Sequence, residues 1–158
     1  MKIETKRLTL MPCDSSSIEM MKKQGYDNGP QSLNHIKELS KDPTLYGWGS
    51  WLVVRNSDGM IIGDAGFKGA PNSKKEVEVG YGFLESCWHM GYATESVESL
   101  VKWALDLVVV EKVVAETRLE NIGSIRVLQK VGMEQVEGKS DMFYWELTKQ
   151  KHQFQSKK

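Results

Sequence analysis

The chain opens on strict alternation. Leu8 and Leu10 fall on one side of the segment Arg7–Met11 and Thr9 on the other, the pattern of a half-buried strand. Pro12 ends that segment, and Asp14 or Ser15 can cap a helix reaching about Lys23. A turn cluster at Gly25–Pro30 precedes a second helical stretch, Gln31–Leu39, with Leu33, Ile36 and Leu39 on one side. Trp51–Arg55 and Met60–Phe67 read as strands joined through Asn56-Ser57-Asp58-Gly59, a hairpin signal. A second turn, Gly69–Lys75, leads into Glu76–Leu84, so three antiparallel strands in a row are expected.

From Tyr92 to Leu107 the period changes to that of a helix. Val97, Leu100, Val101, Ala104, Leu105 and Val108 recur at helical spacing, opposite Glu95, Glu98, Lys102 and Asp106. Lys112–Leu119 is rich in β-branched residues and reads as a strand. Ile122–Val131 reads as a helix stopped by Gly132, and Met133–Val136 with Met142–Leu147 as a closing strand pair. Strands and helices mixed around a largely antiparallel sheet predict an α+β fold with helices on both faces. One domain over residues 1–149 is expected, followed by a polar, frayed tail over 150–158.

Composition narrows the function classes. With 21 basic and 21 acidic side chains the formal net charge is zero, whereas a nucleic-acid binder ordinarily carries a positive excess to release counterions. The N-terminus has no apolar run, and the apolar stretch Leu105–Val110 is too short to span a bilayer. Cys13 and Cys87 form neither a disulfide framework nor a metal-ligand spacing. These features predict a cytoplasmic protein with no metal, nucleic-acid or membrane partner; a monomer or homodimer is expected.

The most informative stretch is Cys87-Trp88-His89-Met90-Gly91-Tyr92-Ala93-Thr94-Glu95, between a predicted strand and a predicted helix. Such a turn aims backbone N–H groups and the positive end of a helix dipole at one point, a ready phosphate site. On the strand before it, Val77, Val79, Tyr81 and Phe83 share one face. Glu76, Glu78, Gly80, Gly82 and Leu84 share the other, where the two glycines leave room for a close neighbour or for a bulge.

Taken in order, Glu78-Val79-Gly80-Tyr81-Gly82-Phe83, the loop from Cys87 to Glu95, and Asn121-Ile122-Gly123-Ser124 through Gly132-Met133 resemble the GNAT superfamily of N-acetyltransferases. Within it they resemble the branch of the ribosomal-protein N-acetyltransferases, whose opening strand is matched by Glu4-Thr5-Lys6-Arg7-Leu8-Thr9-Leu10. The resemblance runs from about Glu4 to about Thr148. The loop departs from the family pattern at Trp88, where Gln or Arg is usual, and at His89, where small residues are usual.

The resemblance implies acetyl transfer from acetyl-CoA to a primary amine, by direct attack in a ternary complex. The acceptor would be a protein N-terminus or a small-molecule amine, with specificity set between about Tyr26 and Trp51. The backbone of His89, Met90, Gly91, Tyr92, Ala93 and Thr94 would hold the pyrophosphate. Tyr81, Gly82, Phe83 and Asn121 would hold the pantetheine, Asn121 alternatively serving as a helix cap. The amine must lose a proton, and Glu78 and Glu116 are the candidate bases, each alternatively a solvated strand carboxylate, with Arg118 a same-face partner for Glu116. A main-chain N–H near Gly80 or Tyr81 would steady the oxyanion. The tyrosine acid of many relatives is replaced by Leu128, leaving Ser124 to assist the departing thiolate or merely to start a helix. His35 and His152 lie outside these motifs, Cys87 reads as a small loop residue, and Trp48 and Trp51 either line an acceptor pocket or fill core. A non-catalytic acyl-CoA sensor is the competing reading, motivated by Leu128, Trp88 and His89.

Overall fold

In the computed structural model, which describes residues 1–27, 30–137 and 141–156, eight strands form one sheet in the order β1-β2-β3-β4-β5-β6-β8-β7. They are β1 (Ile3–Glu4), β2 (Leu8–Pro12), β3 (Ser50–Arg55), β4 (Ile61–Phe67), β5 (Glu76–Phe83), β6 (Lys112–Arg118), β7 (Glu134–Val136) and β8 (Met142–Thr148). The helices are α1 (Ser15–Gln24), α2 (Pro30–Lys41), α3 (Tyr92–Leu105), α4 (Ile122–Val131) and α5 (Lys149–Ser156). Every neighbouring pair is antiparallel except β5 and β6, which run parallel. The α+β class read from the sequence is the class observed.

Alternation along the strands divides the core into two layers. On one face Leu10, Val53, Val77 and Val113 pack with Val97, Leu100, Val101 and Ala104 of α3 and Leu128 of α4. On the other, Leu52, Val54 and Ile61 pack with Met21 of α1 and Ile36 of α2. Helix α1 starts at a reciprocal capping box between Asp14 and Ser17 and stops at Gly25, whose φ of 73° the Cβ of another residue would disfavour. Gln24 then grips the main chain of Ile61 with both ends of its amide, at 2.8 and 2.7 Å, and so fastens the end of α1 to β4.

The structure departs from the sequence reading at several boundaries. Helix α2 begins at Pro30 and buries only Ile36 of its three predicted core residues fully, leaving Leu33 46% exposed. Helix α3 ends at Leu105, so Val108 lies in the turn beyond it, 82% exposed rather than on the helix's core face. The tail is not frayed through 150–156: it forms α5, tied back by Lys149 Nζ to the Leu107 carbonyl (2.8 Å) and by Gln155 to the Gly132 carbonyl (3.4 Å). The last two tail positions, and two of the Gly25–Pro30 turn, lie outside the described residues. No helix among the described residues is long and apolar enough to cross a membrane.

Candidate active site

The parallel pair β5–β6 stays together for three positions only, Glu76–Glu78 against Lys112–Val114. Beyond them the strands separate. β5 continues to pair with β4 as far as Phe83, and β6 with β8 as far as Arg118. Past the Val79 N–H, which closes the last β5–β6 rung, the main chain as far as Phe83 has a strand partner on one side only. Lys68 N–H donates to the Glu78 carbonyl and Leu84 N–H to the Ile62 carbonyl, both at 2.9 Å, so even-numbered positions of β5 address β4. Period two then aims the Val79 carbonyl, both main-chain groups of Tyr81 and those of Phe83 toward the split, the Val79 N–H still serving the last β5–β6 rung. Trp88, the loop's departure from the family pattern, donates its indole N–H to the Phe83 carbonyl at 2.9 Å.

An open cleft of about 1040 Å³ lies over this split. It brings together Tyr81, Gly82, Phe83, Glu116, Asn121 and Ser124 from the sequence-predicted set. The two glycines of β5 are not demanded by packing. A Cβ at Gly82 would meet nothing within 4 Å, and one at Gly80 only the tip of Lys68 at 3.5 Å. By contrast, a Cβ at Gly66 would lie 2.1 Å from the Gly49 carbonyl. Gly66 is a glycine for the sheet's sake, whereas Gly80 and Gly82 keep the floor of the cleft clear. Gly82→Val is accordingly expected to leave apo stability within about 0.5 kcal/mol of wild type and to lower kcat/KM for the thioester donor at least tenfold. Urea unfolding and initial rates on one preparation check this; a stability loss with unchanged activity per folded molecule would mean that sheet packing fixes the glycine.

Because Glu78 pairs with Val114, Glu116 shares the open face of Glu78, Gly80 and Gly82, one glutamate on each side of the split. Their surroundings differ. The Glu78 carboxylate is held by Lys68 Nζ at 2.7 Å, while Arg118 reaches toward Glu120 (3.9 Å) rather than Glu116. Asn121 caps α4, its side chain accepting from Ser124 N–H at 3.1 Å, so the cap alternative for Asn121 is observed and the Ser124 hydroxyl is not the cap. The Tyr81 hydroxyl donates to the Ser124 carbonyl at 3.3 Å, and burial pushes its pKa above the usual phenol value, keeping it protonated. Leu128, at the position of the missing acid, is core.

The predicted phosphate loop, His89 to Thr94, does not line this cleft; it lies at the surface beyond Leu84, the last β5-side residue of the lining. Met90 is half-exposed, His89 adopts φ 64° and Gly91 φ 81°. No side chain caps α3, whose first ladder bond runs from Glu95 N–H to the Gly91 carbonyl (3.1 Å). The amides of Tyr92, Ala93 and Thr94 precede that bond and have no helical acceptor. Gly91 and Thr94 border a second hollow, of about 790 Å³, between β1 and α3.

Sequence reasoning missed part of the cleft. Tyr26 donates to Asp64 Oδ2 at 2.6 Å; burial first, and the anionic acceptor second, raise the phenol above its usual range. Asp64 pairs across the sheet with Gly82. A lone carboxylate in the apolar run Ile61–Phe67 was the available signal. His35, set aside as structural or surface, lines the cleft and lies where a Cβ on Gly49 would fall, its basicity lowered by burial. Of the two tryptophans, Trp51 is core, its indole donating to the Gly47 carbonyl at 2.8 Å. Trp48 both lines the cleft and packs on Trp103 (5.2 Å between centroids). Cys87, read as a small loop residue, is buried at the end of a short 3-10 turn and packs against the core. Among the described residues no group of His, Cys, Asp or Glu could hold a metal ion.

A split parallel strand pair ending at an uncapped helix N-terminus suits a donor with an amide-bearing arm and a phosphate head, as in transferases that use coenzyme A thioesters. A sequence model of the acetyltransferase (GNAT) domain matches residues 13–134, more than half of the chain, and the protein belongs to that family. Its relatives include the uncharacterized N-acetyltransferase YjdG of Bacillus subtilis, 29% identical over 147 residues, spanning 82% of this chain and 88% of YjdG. The fold is shared with a GNAT-family acetyltransferase of Bacillus anthracis (TM-score 0.71, 19% identity, 95% of this chain and 99% of that one). It is shared also with RimL, a ribosomal L7/L12 α-N-protein acetyltransferase solved with coenzyme A (TM-score 0.74, 14% identity, 94% and 98%). The protein is an acetyl-CoA-dependent N-acetyltransferase.

Proposed function

We propose that the enzyme transfers acetyl directly from acetyl-CoA to a primary amine while both occupy the cleft, the acceptor being a protein N-terminus or a small-molecule amine. The observation that carries this reading is the open edge of β5, the Val79 carbonyl, both main-chain groups of Tyr81 and the Phe83 N–H, beside two glycines that packing does not require. The pantetheine arm, which carries amides, lies along this edge as a substitute strand, over Tyr81, Gly82 and Phe83, with Asn121 on the facing helix. The amides from His89 to Thr94 take the pyrophosphate. RimL, by its description, acts on a ribosomal protein's α-amine, which supports the amine class for this chain without choosing among amines.

The chemistry follows from the residues that flank the split. A lysine-like ammonium has a pKa near 10.4 and an α-ammonium about 7.7–8.0, so the acceptor arrives charged and must give up a proton before it can attack. Glu116 takes that proton, directly or through water, because its neighbour across the split, Glu78, is already engaged by Lys68. The amine nitrogen then bonds to the thioester carbonyl carbon while the Tyr81 N–H, aimed into the split, steadies the oxyanion. Collapse breaks the C–S bond, and the thiolate recovers a proton with help from the Ser124 hydroxyl. The products are the N-acetyl amine, the free thiol of CoA and one proton released to solvent. Thiol release across a panel of amines tests the reading. No release with any amine, from protein that binds CoA, contradicts direct transfer.

Ser124→Ala separates the two roles of that hydroxyl. A thiol of pKa near 8.5 leaves tolerably without help, so kcat is expected to fall about tenfold, equivalent to about 1.4 kcal/mol, with CoA affinity unchanged. Since Asn121 supplies the cap, the urea midpoint should stay near wild type. A stability loss of about 0.5–2 kcal/mol with an unchanged rate would retire the catalytic role.

A further inference from the structure

The segment Thr5-Lys6-Arg7 forms the turn from β1 into β2, far along the chain from the loop that precedes α3, yet the side chains of Thr5 and Arg7 converge on the start of that helix. Glu95 stands in the first turn of α3, where a carboxylate is favoured by the helix dipole and would also compete with a phosphate for the same positive end. It is turned away instead. Its Oε2 accepts from Thr5 Oγ1 (2.5 Å) and Arg7 N–H (2.9 Å), and its Oε1 from Arg7 Nε (2.7 Å). Burial alone would raise the pKa of Glu95, but these bonds outweigh it and hold the carboxyl below its usual range, so it stays ionised and neutralised by Arg7.

The same guanidinium makes two further contacts. Nη1 donates to the Met90 carbonyl at 3.0 Å, and the group stacks 4.3 Å above the Tyr92 ring. Nη2 covers the back of Gly91, 3.4 Å from where a Cβ would sit. In a trans peptide the carbonyl of one residue and the N–H of the next point in opposite directions. Pulling the Met90 carbonyl toward Arg7 therefore turns the Gly91 N–H to the opposite side, away from the guanidinium. Gly91, at positive φ, ends a peptide that could otherwise flip.

We propose that Arg7 is the positioning residue of the pyrophosphate loop: it fixes the Met90–Gly91 peptide with its N–H presented to the donor's phosphates and neutralises Glu95 beneath them. This rests on the acetyl-CoA reading above. Arg7 acts through the loop, so its effect is confined to donors that carry the pyrophosphate.

The test uses two donors, acetyl-CoA and S-acetylpantetheine, which lacks the pyrophosphate. In Arg7→Gln, kcat/KM for acetyl-CoA should fall ten- to a hundredfold, almost wholly through KM, while kcat/KM for S-acetylpantetheine stays within twofold of wild type. Arg7→Lys keeps a charge but cannot reach the carboxylate and the carbonyl together, and should fall between, which also guards against a variant that fails to fold. Adding Glu95→Gln to Arg7→Gln should recover at least threefold, because the unneutralised carboxylate is part of the loss. Equal losses for both donors, or no loss for acetyl-CoA, overturns the proposal. If wild-type protein binds CoA but releases no thiol with either donor, the transferase reading fails; melting shifts with CoA then still report whether Arg7 sets the loop.

Discussion

Gly91→Asp abolishes the rise in melting temperature that coenzyme A gives the wild-type enzyme, as any ligand of the native state must give. Gly91 opens α3 at φ 81°, and a side chain there costs about 1 kcal/mol of backbone strain. The charge matters more. The new carboxylate sits on a Cβ 3.4 Å from Arg7 Nη2 and adds a negative charge to the loop whose amides take the phosphates. The new side chain would also draw Arg7 away from Glu95 and the Met90 carbonyl. Part of the repulsion is offset by Arg7 itself, so an affinity loss of about a hundredfold, near 2.7 kcal/mol, is expected. Gly91→Ala supplies the control: it introduces the strain without the charge and should lose roughly tenfold or less, again about 1.4 kcal/mol. A full thermal shift in the Asp variant would place the phosphates elsewhere.

The second large effect separates two carboxylates that the amino-acid sequence presents as equals. Glu116→Gln should lower kcat/KM by about 10²–10⁴-fold, the ordinary worth of a positioned general base, with CoA affinity intact. Glu78→Gln should stay within a few-fold of wild type, because its carboxylate already holds Lys68 at 2.7 Å. That ion pair is largely exposed on the lysine side and contributes little to stability, so the Gln variant should also fold normally. The Glu116 defect should shrink as pH rises toward the acceptor's own pKa, where the amine needs less help. Two near-wild-type variants across that pH range would assign the proton to water.

The sheet was legible because its strands announce themselves locally. The β-branched run of β6, the Asp58-Gly59 turn and the Gly132 stop each encode one element through short-range sterics. The two faces of β5, on which the proposed cofactor edge rests, were legible for the same reason, since period two alone separates Gly80 and Gly82 from Tyr81 and Phe83. What stayed hidden was tertiary. Nothing in Arg7 and Glu95, 88 positions apart, says that they meet. The Tyr26–Asp64 bond depends on Gln24 pinning the end of α1 to β4, which no periodicity records. The choice between Glu78 and Glu116 turns on Lys68, a hairpin neighbour visible only once β4 and β5 are in register. The polar tail was misread because α5 is held by bonds from Lys149 and Gln155 to distant carbonyls rather than by an apolar stripe.

The split between β5 and β6 as the seat of acetyl-CoA is the claim on which the rest depends, and amide hydrogen exchange with and without acetyl-CoA tests it most directly. Bound donor should slow exchange at Tyr81 and Phe83, whose N–H groups face the split, and at Gly91 through Thr94. The amides of Gly80 and Gly82, already bonded to β4, should change little. Protection confined to other segments, or none at saturating acetyl-CoA, would contradict the account.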